Sequence, residues 1–234
     1  MRKLNDLQTP YLAVDLDIFQ RNLETMQSVR SGSSLRPHVK AFKSTDIAGI
    51  LKQGGYSGFC CATIKELEGL AANGLGDDLL LANETLNASR LRSLVDHGAQ
   101  VVVAVDSTET IDAAKDGGIR NVLIDVNVGL PRCGCDLKDV ENLSTYARRK
   151  GLNILGVMGY EGHLLTIEDQ NEKRSEIENA LKLLAENAKQ LQEEGIPCEI
   201  VSCGGTGSYL LSRMQEGITE LQAGGGMFMD QFYE

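Results

Sequence analysis

Eight short apolar runs recur along the chain, each followed by a stretch with helical spacing, and this alternation limits the fold more than any other feature. The runs are Leu35–Lys40, Gly58–Ala62, Asp78–Ala82, Val101–Asp106, Asn121–Asn127, Ile154–Gly159, Glu199–Cys203 and Thr219–Leu221. Most are continuous, not alternating, which is the pattern of parallel strands covered on both faces. The clearest intervening helix runs from about Gln170 to Glu194. Ile177, Leu181, Leu184, Ala188 and Leu191 form its apolar stripe, and Gly195 and Pro197 stop it. Eight strand–helix beats within 234 residues predict a (β/α)8 TIM barrel with parallel strands. A doubly wound sheet would call for a GxGxxG after the first strand, and that position has none.

The segment "PYLAVDLDIFQRNLETM" adds a strand and a helix ahead of the first barrel strand. No linker, repeat or low-complexity stretch interrupts the chain, so residues 1–234 read as a single domain. After the eighth run the sequence reads "AGGGMFMDQFYE" and supplies no closing helix. For a barrel, that predicts a further domain or a shortened chain.

A net charge of -10 argues against a nucleic-acid partner, whose phosphates demand a basic surface. It fits a cytoplasmic protein. The N-terminus lacks the apolar run of a signal peptide, and nowhere do eighteen apolar residues follow one another, so no membrane partner is expected. The six cysteines contain no CxxC pair. Cys133 and Cys135 are two apart with no second ligand pair, so all six read as reduced thiols and no metal site is assigned.

Barrel enzymes carry their reactive groups at the C-terminal ends of strands. The first run delivers Lys40 there, with His38 two residues earlier on the same side of the strand. The fifth leads into "VGLPRCG" with Arg132, and the sixth ends in "GYEGH", giving Tyr160, Glu161 and His163. The seventh and eighth run into "CGGTGS" and "QAGGG", two glycine-rich loops where barrels commonly bind phosphate. Gly205, Thr206, Gly207, Gly224 and Gly225 are the candidate phosphate residues. A phosphate cradle facing a strand-end lysine is the layout that pyridoxal 5'-phosphate requires, because its aldehyde needs a desolvated, nucleophilic amine. Other phosphate ligands satisfy the spacing equally well.

The strings "TPYLAVDLDIFQRNLETM", "LRPHVKAFKS", "CATIKELEGLAANGLGDDLLLANE", "VNVGLPRCG", "GYEGH", "CGGTGSY" and "GGMFMDQFY" together resemble the D-threonine aldolase and D-serine dehydratase-like family. That family is related to the N-terminal barrel of alanine racemases, the fold-type III pyridoxal-phosphate enzymes. The resemblance implies that Lys40 is the Schiff-base lysine, that Arg132 bonds the cofactor's phenolic oxygen and that Tyr160 lies beside its ring. Gln222 falls where alanine racemases place an arginine at the pyridine nitrogen, and His38 orients Lys40 or packs under the ring. His163 is the candidate base near a substrate β-hydroxyl, whereas His97 ends a helix and is assigned no catalytic role.

The resemblance further implies a small amino-acid substrate, a homodimer, and a divalent metal (Mn2+, Mg2+ or Zn2+) held by a C-terminal β-domain that this chain lacks. The expected reaction is a lyase reaction on D-configured β-hydroxy amino acids, with aldol cleavage to glycine and an aldehyde placed first. Dehydration of the D-serine type, alanine-racemase-like chemistry, a non-catalytic cofactor-homeostasis protein and a sugar-phosphate isomerase without the cofactor are the alternatives. Two departures stand out. Phe42 replaces a histidine frequent in "KTHK", and Asn127 stands where an aspartate is frequent.

Overall fold

The computed structural model describes residues 8–229. Seven strands form one parallel sheet in chain order: β1 (Phe59–Cys61), β2 (Leu79–Leu81), β3 (Val101–Val105), β4 (Asn121–Asp125), β5 (Asn153–Met158), β6 (Ile200–Cys203) and β7 (Glu220–Leu221). The connections carry helices α1 (Leu16–Val29), α2 (Thr45–Gln53), α3 (Ile64–Ala72), α4 (Ala88–Asp96), α5 (Thr108–Asp116), α6 (Val140–Arg149), α7 (Gln170–Glu193) and α8 (Tyr209–Ser212). The curled sheet and outer helices are the expected barrel architecture.

The continuous apolar runs are explained by two cores. Cys60, Leu80, Val102, Ala104, Leu123 and Met158 point inward and pack together inside the curl. Their chain neighbours Phe59, Cys61, Leu79, Leu81, Val103 and Ile124 point outward into the larger core beneath the helices. Strand pleating alternates the faces, and these residues are buried on both. Gly156 shows how tightly the strands sit. A β-carbon there would lie 1.8 Å from the Ile200 carbonyl oxygen, at φ 153°, where β5 and β6 pair. The β4–β5 register also shifts between Val122 and Leu123.

Residues 35–40 do not form the eighth strand that the sequence predicts. Leu35 bridges Leu221 of β7 and His38 bridges Cys60 of β1, so the segment joins the two edges of the sheet. Arg36 N–H donates to the Leu221 carbonyl, and Cys60 N–H donates to the Pro37 carbonyl. Proline has no N–H to extend such a ladder. The His38 Nδ1 atom then accepts the Lys40 N–H at 3.4 Å, and Val39–Ala41 coil into a 3-10 turn. The predicted strand ahead of α1 is also absent, since residues 8–15 are irregular and exposed.

A side-chain cluster reinforces this seam. Arg36 bonds Glu220 on β7 at 2.9 Å and Asp78 beside β2 at 2.7 Å, with its own side chain almost fully buried. Burial opposes its charge, yet the two carboxylates hold the Arg36 pKa above that of free arginine. Gly58 leaves room for the pair, because a β-carbon there would come within 2.3 Å of Asp78 and 2.6 Å of Arg36.

Local signals set the helices. Thr63 and Glu66 form a reciprocal capping box on α3, and Asp169 accepts the Asn171 and Glu172 N–H groups to start α7. The stripe of α7 is buried as its spacing predicts, Gly195 follows it at φ 75°, and Glu172, Glu176 and Glu178 face outward. All six cysteines are free. Among the described residues no helix is long and apolar enough to cross a membrane.

Candidate active site

A cavity of about 460 Å³ opens at the C-terminal ends of the strands. Lys40 lines it from the seam, Arg132 from the loop after β4, Tyr160 from the end of β5, and Gly205 and Thr206 from the loop after β6. Gln222, Gly224 and Gly225 line it from beyond β7, and His38 lies beneath. Gly207 is exposed and stands outside the lining. His163 also stands outside it: the Gly162–Thr166 3-10 turn carries its ring onto Gly129, where a β-carbon would meet Nε2 at 2.7 Å.

The Lys40 amine and the Arg132 guanidinium approach the Tyr160 ring at 5.7 Å and 5.6 Å from its centroid. Two glycines make room for that ring. A β-carbon on Gly162 would fall 2.3 Å from it and one on Gly205 3.1 Å. Lys40 is exposed at the cavity mouth, but the protein around its amine removes enough water to lower its pKa. The Arg132 charge adds to that lowering, while Cys60 and Glu66 oppose it. His38 is pushed down to about 3, first by burial and next by the Lys40 charge, so its ring is neutral and free to accept.

The two glycine loops meet through Thr206, whose hydroxyl accepts the Gly225 N–H at 2.9 Å. Behind them the buried Glu161 carboxylate accepts the Gly204 N–H at 3.3 Å and the Ser212 hydroxyl at 3.0 Å. Gly205 N–H is taken by the Ser208 hydroxyl. The N–H groups of Thr206, Gly207, Gly224 and Gly226 have no acceptor among the described residues. Of these, Thr206 and Gly224 line the cavity from two loops that touch, a placement suited to an anion of phosphate size. The four-residue α8 is too short to add a substantial dipole.

The floor is a directed polar chain inside the barrel. The Ser202 hydroxyl donates to Glu220 at 2.7 Å, and Gln222 Nε2 donates to Ser202 at 2.9 Å. The Cys60 thiol donates to Gln222 Oε1 at 3.2 Å. Burial keeps that thiol protonated by raising its pKa well above the ordinary value. The chain continues from Glu220 to Arg36. Gln222 is therefore held on both sides beneath the cavity.

Glu84, Asp125 and Cys133 bring their donor atoms within 4.8 Å of one another beside the Arg132 loop. Burial and the neighbouring Glu84 raise the Asp125 carboxyl well above the usual range. Phe42, the departure beside Lys40, packs 6.2 Å from Phe228 of the cavity wall, ring centroid to centroid. Asn127 closes a turn by accepting the Gly129 N–H.

Sequence reasoning assigned no role to Glu66, Ser202 or Glu220. Only Glu66 carried a local signal, the capping pattern of "TIKE".

The chain is 31% identical to a 3-hydroxy-D-aspartate aldolase of Paracoccus denitrificans (strain Pd 1222) over 98% of its length, and 33% identical to a D-threonine aldolase of an Arthrobacter species over 97%. It spans 62% of each of those proteins. Among solved structures, D-threonine aldolase from Filomicrobium marinum superposes with a TM-score of 0.89 at 31% identity, covering 98% of this chain and 65% of that one. D-threo-3-hydroxyaspartate dehydratase from Delftia sp. HT23 superposes with a TM-score of 0.86 at 29% identity, covering 97% and 62%. The sequence profile of the alanine racemase N-terminal domain matches residues 14–231. With that match spanning nearly the whole barrel, the chain belongs to the alanine racemase N-terminal domain family.

Proposed function

We propose that this chain binds pyridoxal 5'-phosphate and serves a lyase that acts on D-configured β-hydroxy amino acids, with aldol cleavage as its reaction. One observation carries the reading: the Lys40 amine and two touching glycine loops, with the unpaired Thr206 and Gly224 N–H groups, line the same cavity. Its volume suits a molecule of that size.

In this reading the N–H groups of Thr206 and Gly224 would hold the phosphate, with Gly205 and Gly225 shaping the loops. Tyr160 would flank the ring, Gln222 would meet its nitrogen, and Arg132 would meet its phenolic oxygen, all three lining the cavity. When bound, the cofactor supplies a conjugated sink for the electrons of a bond broken at the substrate Cα. Gln222 is neutral, so it does not hold the ring nitrogen protonated as a carboxylate would. Lys40, with its lowered pKa, carries or releases a proton at its Nζ near Cα. His38 stays neutral and holds the Lys40 backbone. His163 would serve the β-hydroxyl only if its turn swung away from Gly129 into the cavity.

The same reading expects a homodimer, a cytoplasmic setting and a divalent metal held outside this chain. Aldolase is placed ahead of dehydratase because the relatives named aldolases are 31% and 33% identical, and the named dehydratase 29%. Adding the cofactor to the protein and to Lys40→Ala, followed by borohydride reduction, tests the first part. Reduction is expected to fix the cofactor to Lys40 in the parent alone. Incubation with D-threonine or D-serine, with and without Mn2+, then distinguishes aldehyde release from ammonia release. A parent protein that acquires no absorbance from the cofactor would sink the reading.

A further inference from the structure

We propose that Glu66 is a positioning residue for Lys40, acting through Lys43 to fix the turn that aims the Lys40 amine across the cavity. The proposal rests on the reading of Lys40 as the amine that meets the cofactor's aldehyde.

No regular ladder holds that amine's backbone. The bridges of the seam end at His38, and Lys40 sits in a three-residue 3-10 turn. The turn is closed by Lys43, whose N–H donates to the Val39 carbonyl at 2.7 Å and whose φ is 46°. That left-handed conformation is unfavourable for a residue with a β-carbon, and glycine occupies it at least cost. Strain of this kind persists where surrounding contacts impose it, and it gathers at functional sites.

The imposing contact is an ion pair between Lys43 Nζ and Glu66 Oε1. Lys43 is largely exposed, whereas the Glu66 side chain is only 9% exposed. The second Glu66 oxygen accepts the Ala62 N–H at 2.6 Å and the Thr63 N–H at 3.2 Å. Ala62 follows β1 and lines the cavity. One partly buried carboxylate therefore ties the Lys40 turn to the rim of the barrel. The Thr63 hydroxyl accepts the Glu66 N–H and so holds the backbone that carries the carboxylate. Its charge also reaches the Lys40 amine, where it partly offsets desolvation. A cap alone needs only the bonds to Ala62 and Thr63. The strained lysine that reaches Glu66 from the other side is the part a cap does not explain.

The test separates aiming from folding. In covalent capture, Lys40 Nζ adds to the aldehyde carbon, a C=N bond replaces C=O, and one water leaves. Capture of pyridoxal 5'-phosphate by the cofactor-free protein is timed by absorbance. The proteins compared are the parent, Lys43→Gly, Glu66→Gln and Lys43→Arg. The affinity of each for pyridoxine 5'-phosphate, which has no aldehyde, and each melting temperature are measured alongside. Lys43→Gly relieves the strain and leaves the cap intact, so it is the decisive variant. Capture by Lys43→Gly and Glu66→Gln is expected to slow on the order of 10- to 100-fold, as for a misaimed group. Affinity for pyridoxine phosphate should hold, and Lys43→Arg should recover the rate. Capture by Lys43→Gly at the parent rate overturns the proposal, and so does an equal loss of pyridoxine phosphate affinity and melting temperature. If the parent captures nothing, the cofactor reading fails first and the proposal falls with it.

Discussion

Gly224 approaches His38 so closely that a β-carbon at position 224 would lie 2.2 Å from the His38 carbonyl oxygen. The loop beyond β7 therefore rests directly on the backbone that leads to Lys40. The partner is main chain, not a side chain that can swing aside. Gly224→Ala is expected to lift the loop, separate Gly225 from Thr206, and weaken binding of pyridoxine 5'-phosphate at least ~10-fold. Calorimetric titration checks this, and an unchanged affinity would place the anion elsewhere.

Lys40 and Arg132 both approach the Tyr160 ring, and the Arg132 charge helps to lower the Lys40 pKa after desolvation. Replacing Arg132 by Gln should raise the pH midpoint for modification of Lys40 by an amine-directed reagent. Peptide mapping of the labelled protein across a pH series reads that midpoint. A midpoint that stays or falls would mean that the guanidinium does not depress the amine.

His38 carries a pH dependence of defined sign. Its pKa is about 3 in the folded chain against an ordinary 6.5, so the unfolded chain binds the proton first as pH drops. The stability from its buried neutral ring is present in full above pH 6.5 and is lost as pH falls toward 3. Between neutral pH and pH 5 the loss from this group should be about 2 kcal/mol. Urea unfolding at pH 7.5 and pH 5.0 measures it, and His38→Gln should flatten the difference.

Gly156 is predicted to tolerate no substitution. Alanine would drive its β-carbon into the Ile200 carbonyl and adopt a φ suited to glycine. Relief requires β5 and β6 to part. A loss of at least ~3 kcal/mol is expected, read as a lower urea midpoint.

Much of this fold was legible as eight runs because burial on both faces of a parallel strand writes one unbroken apolar stretch. The stripe of α7 was legible for the same reason, since one face of a long helix must repeat. Leu35–Lys40 misled because its apolar residues satisfy the strand pattern, while Pro37 withholds a ladder donor and His38 bends the chain. The strand-end positions of Lys40, Arg132, Tyr160 and Gln222 put these residues around one cavity. His163 obeyed the same sequence logic, but its 3-10 turn directs the ring to Gly129. Glu66 reads locally as a helix cap, and its second duty depends on Lys43, 23 residues away, a separation that no local pattern encodes.

The join at Arg36 has a consequence for how this molecule opens. Elsewhere each strand is stitched to the next along its backbone, whereas β7 and β1 meet across a proline-containing segment with two bridges. A single guanidinium, clasped by Glu220 and Asp78, spans the gap. The cylinder is thus hooped by a side chain at one stave, and that stave carries the reactive turn. Thermal opening and exposure of the interior begin there, with the amides of Arg36 and Cys60 the earliest among those that join the staves to trade hydrogen for deuterium.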